Sequence, residues 1–575
     1  MASLHHLRIQ HFRGIESFEH TFKTGITCII GRGDSGKTTI IDAIALVFSQ
    51  SWSVHLNDSD FYMCNTALPI VIEGTVVDVP DELIIQYDNH LRGVSKDGSI
   101  IDDMESEESR DENTKLALTI QMKVTKDLEP TWSIVSYHGM EPSPIKANVR
   151  SKLNVFAISD YTDRHFSLNK GNPLYGLCKQ LYKTSVIEED NKVIDVIREA
   201  KDAFDCSIGN KFDLIISKIT KMANTLGLSL NEMKAMLDHK DIAISENKVS
   251  IHENGIPFRL KGKGTKRILS LAIQLTLAQP SGVILIDEIE QGLEPDRVQH
   301  LVNVLAKQKD KQFIITTHSS NVAVELSSDS IYIKIKEKDC LLNVGQKLQD
   351  CIRSNPDAFF ARKVLICEGD TEIGVFRAIN SYRINRGSHS ASCLGVRYVN
   401  GTGNALKNYV EGFVSLKYPT ALFCDSDPEG KTINDLKPKF REMCVNVVDC
   451  EDGLSIEGQV FKDVPWNVIK ELIVIYMQRR VQEGKSPNLE QANKDVFLSI
   501  NARLTTKSVW SENWYYNESE ELREALSKAS SENKWYKRID YGEQLGNCIL
   551  EHYTELPNNC RLKRELSSII SWIDA

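Results

Sequence analysis

The sequence predicts an α/β fold in two successive parts, and three observations carry that prediction. TGITCIIGRGDSGKTTIIDAIALVF (24–48) reads as a buried strand, a glycine loop and an apolar-periodic helix. Apolar strands recur at GVILID (282–287), QFIITT (312–317) and SIYIKI (330–335), separated by helical stretches, as a parallel sheet requires. KVLICEGD (363–370) opens a second strand–helix series that runs to ALFCDSD (421–427), and after residue 460 the periodicity is mostly helical.

The bulk numbers bound the function classes. A chain of 575 residues with 41% hydrophobic and 26% charged residues is ordinary globular composition and long enough for several domains. The net charge of −10 advertises no global basic field, although a local basic groove survives such averaging. Thirteen cysteines without a CxxC or zinc-like spacing argue for reduced thiols. No apolar signal region and no run of 18 apolar residues is found, so a cytoplasmic protein with no membrane partner is expected.

Each element follows in order. Residues 3–12 alternate as a strand, and PIVIEGTVVD (69–78) and KLALTIQMKV (115–124) read as two more. DDMESEESRDEN (102–113) is an acidic, solvated loop. Residues 175–240 carry helical periodicity, clearest at 193–204 and 212–227; a dimer arm or lid and plain packing both fit.

GRGDSGKT (31–38) fits G-x-x-x-x-G-K-[ST] between its strand and helix. The backbone of Gly31, Arg32, Gly33, Asp34, Ser35, Gly36, Lys37, Thr38 and Thr39 is expected to cradle the phosphates of ATP. Lys37 reaches the β/γ-phosphates and the Thr38 hydroxyl ligates Mg²⁺. VILIDEIEQGLEP (283–295) ends a buried strand in Asp287, placed to hold Mg²⁺ through water, and Glu288, placed to activate the attacking water. His318 ends the next strand, in reach of a γ-phosphate. RLKGKGTKRILSLAIQL (259–275) is a basic glycine loop entering a helix, able to close over the nucleotide of a second subunit.

The second series ends its strands in acid. Glu368 closes one strand and Glu372 follows four residues on, in the first turn of a helix. Asp425 and Asp427 close a later strand, at the same carboxyl edge where open α/β sheets place ligands. Four carboxylates converge there only with a counter-charge, and two Mg²⁺ (or Mn²⁺) ions supply it together with phosphodiester chemistry. Arg377, Lys407, Lys431 and Lys437 flank this edge as candidate phosphate contacts on DNA.

On these motifs residues 1–345 resemble an ATP-binding-cassette ATPase of the SMC and DNA-repair kind. LRIQHFRGIESFEHTF, the P-loop, Asp287-Glu288, Gly292-Leu293-Glu294-Pro295 and His318 carry the resemblance. GKGTKR (262–267) departs from it, standing where transporters have Leu-Ser-Gly-Gly-Gln. E-G-x-x-E followed by D-x-D resembles the Toprim domain of topoisomerases, primases and certain nucleases, and VNGTGNALKNYV (399–410) fits that layout.

The order of the two domains is similar to the OLD (overcoming-lysogenization-defect) nucleases, which include the Gabija and retron-associated antiphage nucleases. ISDYTDRHFSLNKGNPLYGL (158–177), GLSIEGQVF (453–461) and NKWYKRIDYGEQLG (533–546) extend the likeness. The resemblance implies that Glu457 is a further metal ligand and that Lys537, with Lys534 as competitor, stabilises the reacting phosphate.

It also implies a division into 1–170 and 246–350 as two parts of an ABC-type ATPase, 171–245 as a helical dimerisation insertion, and 355–575 as a Toprim domain with C-terminal helices. The expected function is an ATP-regulated, metal-dependent DNA endonuclease in antiphage defence. It is expected to act as a homodimer or larger homo-oligomer with a co-encoded helicase, or with a retron reverse transcriptase and its RNA–DNA. The alternative is an ATP-dependent DNA clamp or repair ATPase whose Toprim-like domain does no chemistry.

Overall fold

Alternation in SLHHLRIQHF drives Leu4, Leu7, Ile9 and Phe12 to one face of strand β1 (Ser3–Phe12). A register shift between Leu4 and His6 accounts for the break in period before Leu7, and His11, at φ 55°, marks the one before Phe12. β1 pairs antiparallel with β2 (Ile15–Thr21) and β3 is the following Ile26–Ile30. The computed structural model describes residues 2–51, 54–102, 114–136, 140–158, 165–166, 172–181, 209–228, 230, 232–237, 249–278, 282–336, 339–401, 405–426 and 431–575. Of the expected loop at 102–113 all but Asp102 lies outside them, as does the helix at 193–204. The chain divides into two units, Met1–Gln346 and Lys347–Ala575.

In the first unit, β1, β4 (Ile70–Val77) and β5 (Lys115–Val124) form the middle of an antiparallel sheet. A second sheet is ordered β6 (Val155–Ile158), β7 (Val283–Ile286), β8 (Gln312–Thr317), β3, β9 (Ile331–Lys334), β10 (Leu341–Asn343); all but the last pair run parallel. Helix α1 (Lys37–Val47) packs between the sheets. Ile40, Ile44 and Phe48 share one core with Ile72 and Ile120 on one side and Leu285 and Ile314 on the other. β7, apolar throughout, and β8, apolar only at Phe313–Ile315, are both buried on both faces, as parallel strands are.

The helical reading of 175–240 is corrected at its end. Helices cover Pro173–Leu181 and Gly209–Thr225, but Met233–Leu237 is a strand pairing with Val249–Glu253. Five residues can satisfy a hairpin ladder although their composition is neutral between helix and strand.

The second unit carries a four-stranded parallel sheet, ordered β12 (Val396–Asn400), β11 (Lys363–Cys367), β13 (Thr420–Phe423), β14 (Asn446–Val448). Helix α2 (Asp370–Asn385) follows β11 and α3 (Ile456–Asp463) follows β14; α4 (Trp466–Gln482), α5 (Ile539–Glu551) and Arg561–Asp574 belong to the predicted helical extension. Among the described residues no helix is long and apolar enough to cross a membrane.

Candidate active sites

The nucleotide site is built by one loop. Gly31 has φ 150°, and a Cβ there would lie 2.5 Å from the Lys334 carbonyl oxygen, so only glycine fits. Gly36, at φ 92°, turns the chain into α1. Lys37 is folded back onto its own loop, Nζ donating to Gly31 O at 3.0 Å and Arg32 O at 2.8 Å. Burial pulls its pKa down to about 8, against the opposing charges of Asp287, Glu288, Glu290 and Asp34.

The strand ends complete this site. Asp287 Oδ1 accepts from Thr316 Oγ1 at 2.5 Å and from Thr38 Oγ1 at 3.3 Å, which joins the P-loop to β7 and β8. Glu288 sits at φ 46°, its amide donating to Thr316 Oγ1 at 2.8 Å. His318 donates its backbone amide to Glu290 Oε1 at 2.6 Å, and Thr317 Oγ1 binds Glu290 Oε2 at 2.6 Å. Glu290, which anchors the His318 turn, was missed in the sequence because it lies in no catalytic pattern. Within the basic loop, a Cβ on Gly264 would meet Gly292 O at 2.4 Å, so GKGTKR packs against the Gly292–Pro295 turn of the same chain.

The second site sits at the carboxyl edge of the β12–β11–β13–β14 sheet. Parallel pairing puts Cys367 beside Phe423, so Glu368 and Asp425 leave adjacent strands together. Asp425 donates its amide to Glu368 Oε2 at 2.9 Å, and its Oδ1 accepts from the Ile456 amide at 2.7 Å. Glu372 is buried in the first turn of α2, and Glu457 is fully buried in the first turn of α3, after the Ser455 cap. Lys537 Nζ lies 3.4 Å from Asp425 Oδ2 and 4.0 Å from Glu457 Oε1. Lys534 is exposed, at φ 54°.

These charges set one another's protonation. Burial raises the Glu372 carboxyl well above its usual range, and the Asp425 charge adds to this. Burial raises Glu457 as well, opposed by Lys537. Burial alone pulls Lys537 down, but Glu457, Asp425 and Glu372 together outweigh it and hold the ammonium above its ordinary pKa.

Asp427 lies outside the described residues. Among those described, no three His, Cys, Asp or Glu side chains gather closely enough to hold a metal ion. The donor set still suits a hard divalent cation: carboxylate oxygens only, with both Glu457 oxygens buried and without a hydrogen-bond partner.

Lys437 corrects an expectation. It is buried rather than free to meet a phosphate, its Nζ donating to Asp425 O and Ser426 Oγ, both at 2.7 Å, with Asp449 3.5 Å away. An ammonium inside the fold holds the acidic turn by its backbone. Arg377 and Lys407 are exposed, and the Lys431 side chain lies outside the described residues.

Lys537 is set against Glu372 by a seam that the sequence does not advertise. Thr371 Oγ1, inside the E-G-x-x-E motif, donates to Tyr536 O at 3.0 Å. A Cβ on Gly374 would lie 2.4 Å from Ile539 O, on Gly542 2.6 Å from Thr371 O, and on Gly546 2.6 Å from Ala378 Cβ. Three glycines thus bring the backbones of α2 and α5 into contact.

Residues 3–323, more than half of the chain, match the AAA ATPase domain family. Residues 359–427 match the family described as overcoming lysogenization defect protein-like, TOPRIM domain. No curated protein matches the chain. Among solved structures it is similar to an Smc head bound to the C-winged helix domain of ScpA, at 15% identity and TM-score 0.36, over 57% of this chain and 93% of that one. It is similar to the recombination mediator protein RecF with ATPrS, at 14% identity and TM-score 0.35, over 60% and 98%. The SMC head domain from Thermotoga maritima aligns at 14% identity and TM-score 0.28, over 60% and 99%.

Proposed function

The chain belongs to the OLD family of ATPase–Toprim fusions, and from that premise we propose that it is an ATP-regulated, divalent-metal-dependent DNA endonuclease. One observation carries the reading: at the carboxyl edge of a parallel sheet Lys537 lies beside Asp425 and Glu457, Glu368 holds the Asp425 amide, and buried Glu372 is within range of the same charges, with both Glu457 oxygens buried and without a hydrogen-bond partner among the described residues.

Glu368, Glu372, Asp425, Asp427 and Glu457 would hold Mg²⁺ or Mn²⁺. Such ions, when bound, activate water and offset charge on a phosphodiester. The chain's own residues do the rest. Glu368 and Lys437 fix the Asp425 backbone, so its carboxylate keeps one direction. Lys537 carries a positive charge at neutral pH and offsets charge growing on a non-bridging phosphate oxygen.

In the ATPase unit, the loop amides of Gly31–Thr39 take the phosphates, and Lys37 exchanges its loop carbonyls for the β/γ-phosphates. Thr38, and Asp287 through water, would hold the accompanying Mg²⁺, Glu288 would activate the attacking water and His318 would sense the γ-phosphate. Residues 1–170 and 246–350 form this ATPase and 355–575 the nuclease. The insertion 171–245 dimerises it, and DNA, a co-encoded helicase or a retron reverse transcriptase with its RNA–DNA are its partners in antiphage defence.

The test is plasmid cleavage by wild type, Asp425→Ala and Lys37→Ala, with Mg²⁺ or Mn²⁺, with and without ATP, and with the neighbouring gene's product. Cutting that vanishes in Asp425→Ala and responds to ATP only with Lys37 intact supports the gated nuclease. A second reading, an ATP-dependent DNA clamp, has one observation in its favour: the Lys537 ammonium already neutralises the carboxylates. ATP-dependent DNA retention without any cutting would favour that clamp.

A further inference from the structure

Lys537 reaches its carboxylates from a segment pinned by a buried guanidinium. Arg479, on α4, is 5% exposed. Its Nη2 donates to Trp535 O at 2.5 Å and its Nη1 to Gln544 Oε1 at 3.4 Å. Among the described residues none of its hydrogen bonds goes to a carboxylate. Aromatic faces surround it, the guanidinium carbon lying 3.8 Å from the Tyr541 ring centre, 5.2 Å from Tyr476 and 5.4 Å from Tyr536, while the Glu483 and Asp540 charges act on it without an ion pair. Tyr476 in turn stacks on Trp535 at 4.0 Å and 18°.

Burying a cation this way costs stability that a leucine or methionine on the same helix face would not. What the guanidinium adds is geometric. Its fork holds the Trp535 carbonyl while its plane lies on Tyr541, at the start of α5. Thr371 holds the next carbonyl, that of Tyr536. The two peptide oxygens before Lys537 are therefore fixed from two different helices, and the backbone after it is fixed by the glycine seam.

We propose that Arg479 is a positioning residue for Lys537. It touches neither the carboxylates nor DNA, and acts by holding the Trp535–Tyr536 backbone so that the ammonium stays beside Asp425 and Glu457. The inference rests on the nuclease reading of this site, and the experiment separates the two.

Amide hydrogen exchange on the metal-free full chain compares wild type, Arg479→Met and Arg479→Lys. Arg479→Met is expected to speed exchange over 536–541 by about tenfold or more, because a buried carbonyl loses its donor. Exchange over 363–372 is expected to stay unchanged. In metal-loaded cleavage, kcat is expected to fall about 10–100-fold with KM for DNA unchanged, and Arg479→Lys to recover part of it. In a Lys537→Ala background the further loss from Arg479→Met is expected to be under about twofold.

Unaltered exchange over 536–541, or a loss that adds in full to that of Lys537→Ala, overturns the proposal. Should Arg479→Met fail to fold, Arg479→Lys carries both measurements. If wild type cuts no DNA under any condition, the nuclease reading fails and exchange alone decides the placement of Lys537.

Discussion

Each unit sets a lysine among acidic side chains at the carboxyl edge of a parallel sheet, and the two lysines shift in opposite directions. Lys37 is pulled down to about 8 by burial, because its immediate partners are neutral carbonyls of Gly31 and Arg32. Lys537 also loses solvation, yet it is held above its ordinary value by Glu457, Asp425 and Glu372, with Asp425 Oδ2 at 3.4 Å. Partner distance decides the sign. The ATPase lysine is stored in an uncomfortable state that phosphates relieve. The nuclease lysine is already satisfied and acts as a fixed part of the site.

The widest break between the units comes from Asp425→Ala. DNA cleavage is expected to fall by about 10³-fold or more, while the thermal shift on adding ATP persists. Lys37→Ala is expected to remove that ATP shift. Equal loss of both responses in Asp425→Ala would mean that the two sites fail together rather than separately.

The next effect is packing. Gly542→Ala sets a methyl 2.6 Å from Thr371 O and 3.0 Å from its Cα. Backbone cannot give way as a flexible side chain can, so a destabilisation of about 1–3 kcal/mol is expected in denaturant melts. Nuclease activity is expected to be lost with it, and ATP affinity retained.

The lysines themselves give the sharpest test. In metal- and nucleotide-free protein at pH 7, Lys37→Met is expected to raise Tm and Lys537→Met to lower it. For Lys37 the folded pKa, about 8, is below the unfolded 10.5. The unfolded chain therefore binds more protons between those values, so stability rises with pH. The burden, on the order of 3 kcal/mol at most, is full below pH 8 and fades toward 10.5. The advantage of Lys37→Met should shrink across that window. For Lys537 the folded pKa is raised, so its contribution is fully present below 10.5 and is lost only as pH rises through the higher folded value. Melts that move the same way for both variants would break the comparison.

The smallest effect belongs to Thr371→Val. It removes one buried hydrogen bond to Tyr536 O, for about 1 kcal/mol, and a modest loss of cleavage rate is expected with DNA affinity unchanged.

Much of both sites was legible because their chemistry is local in the chain. The P-loop holds glycines, lysine and threonine within eight residues, and the structure keeps them in one loop on β3 and α1. E-G-x-x-E and the acidic strand end were legible for a related reason: apolar strands that stop in carboxylates mark one edge of a sheet. Lys437 misled because a lysine near acidic residues reads as a surface cation, and only packing shows that its ammonium turns inward to a backbone carbonyl. Met233–Leu237 misled because five residues of mixed propensity take the structure of whichever partner strand is present.

The sequence by itself determined the α/β class, the order of the two units and the carboxylate and glycine motifs, because strand periodicity and short loops are properties of neighbouring residues. The family resemblance named Glu457 and Lys537 for the site of Asp425, but only the tertiary structure decided their distances from it, that Thr371 and Arg479 hold the segment carrying that lysine, and that Gly374, Gly542 and Gly546 let α2 and α5 touch. The reason is separation. Lys537 lies 112 residues from Asp425, and no periodicity or local propensity encodes a contact made by packing two helices backbone to backbone.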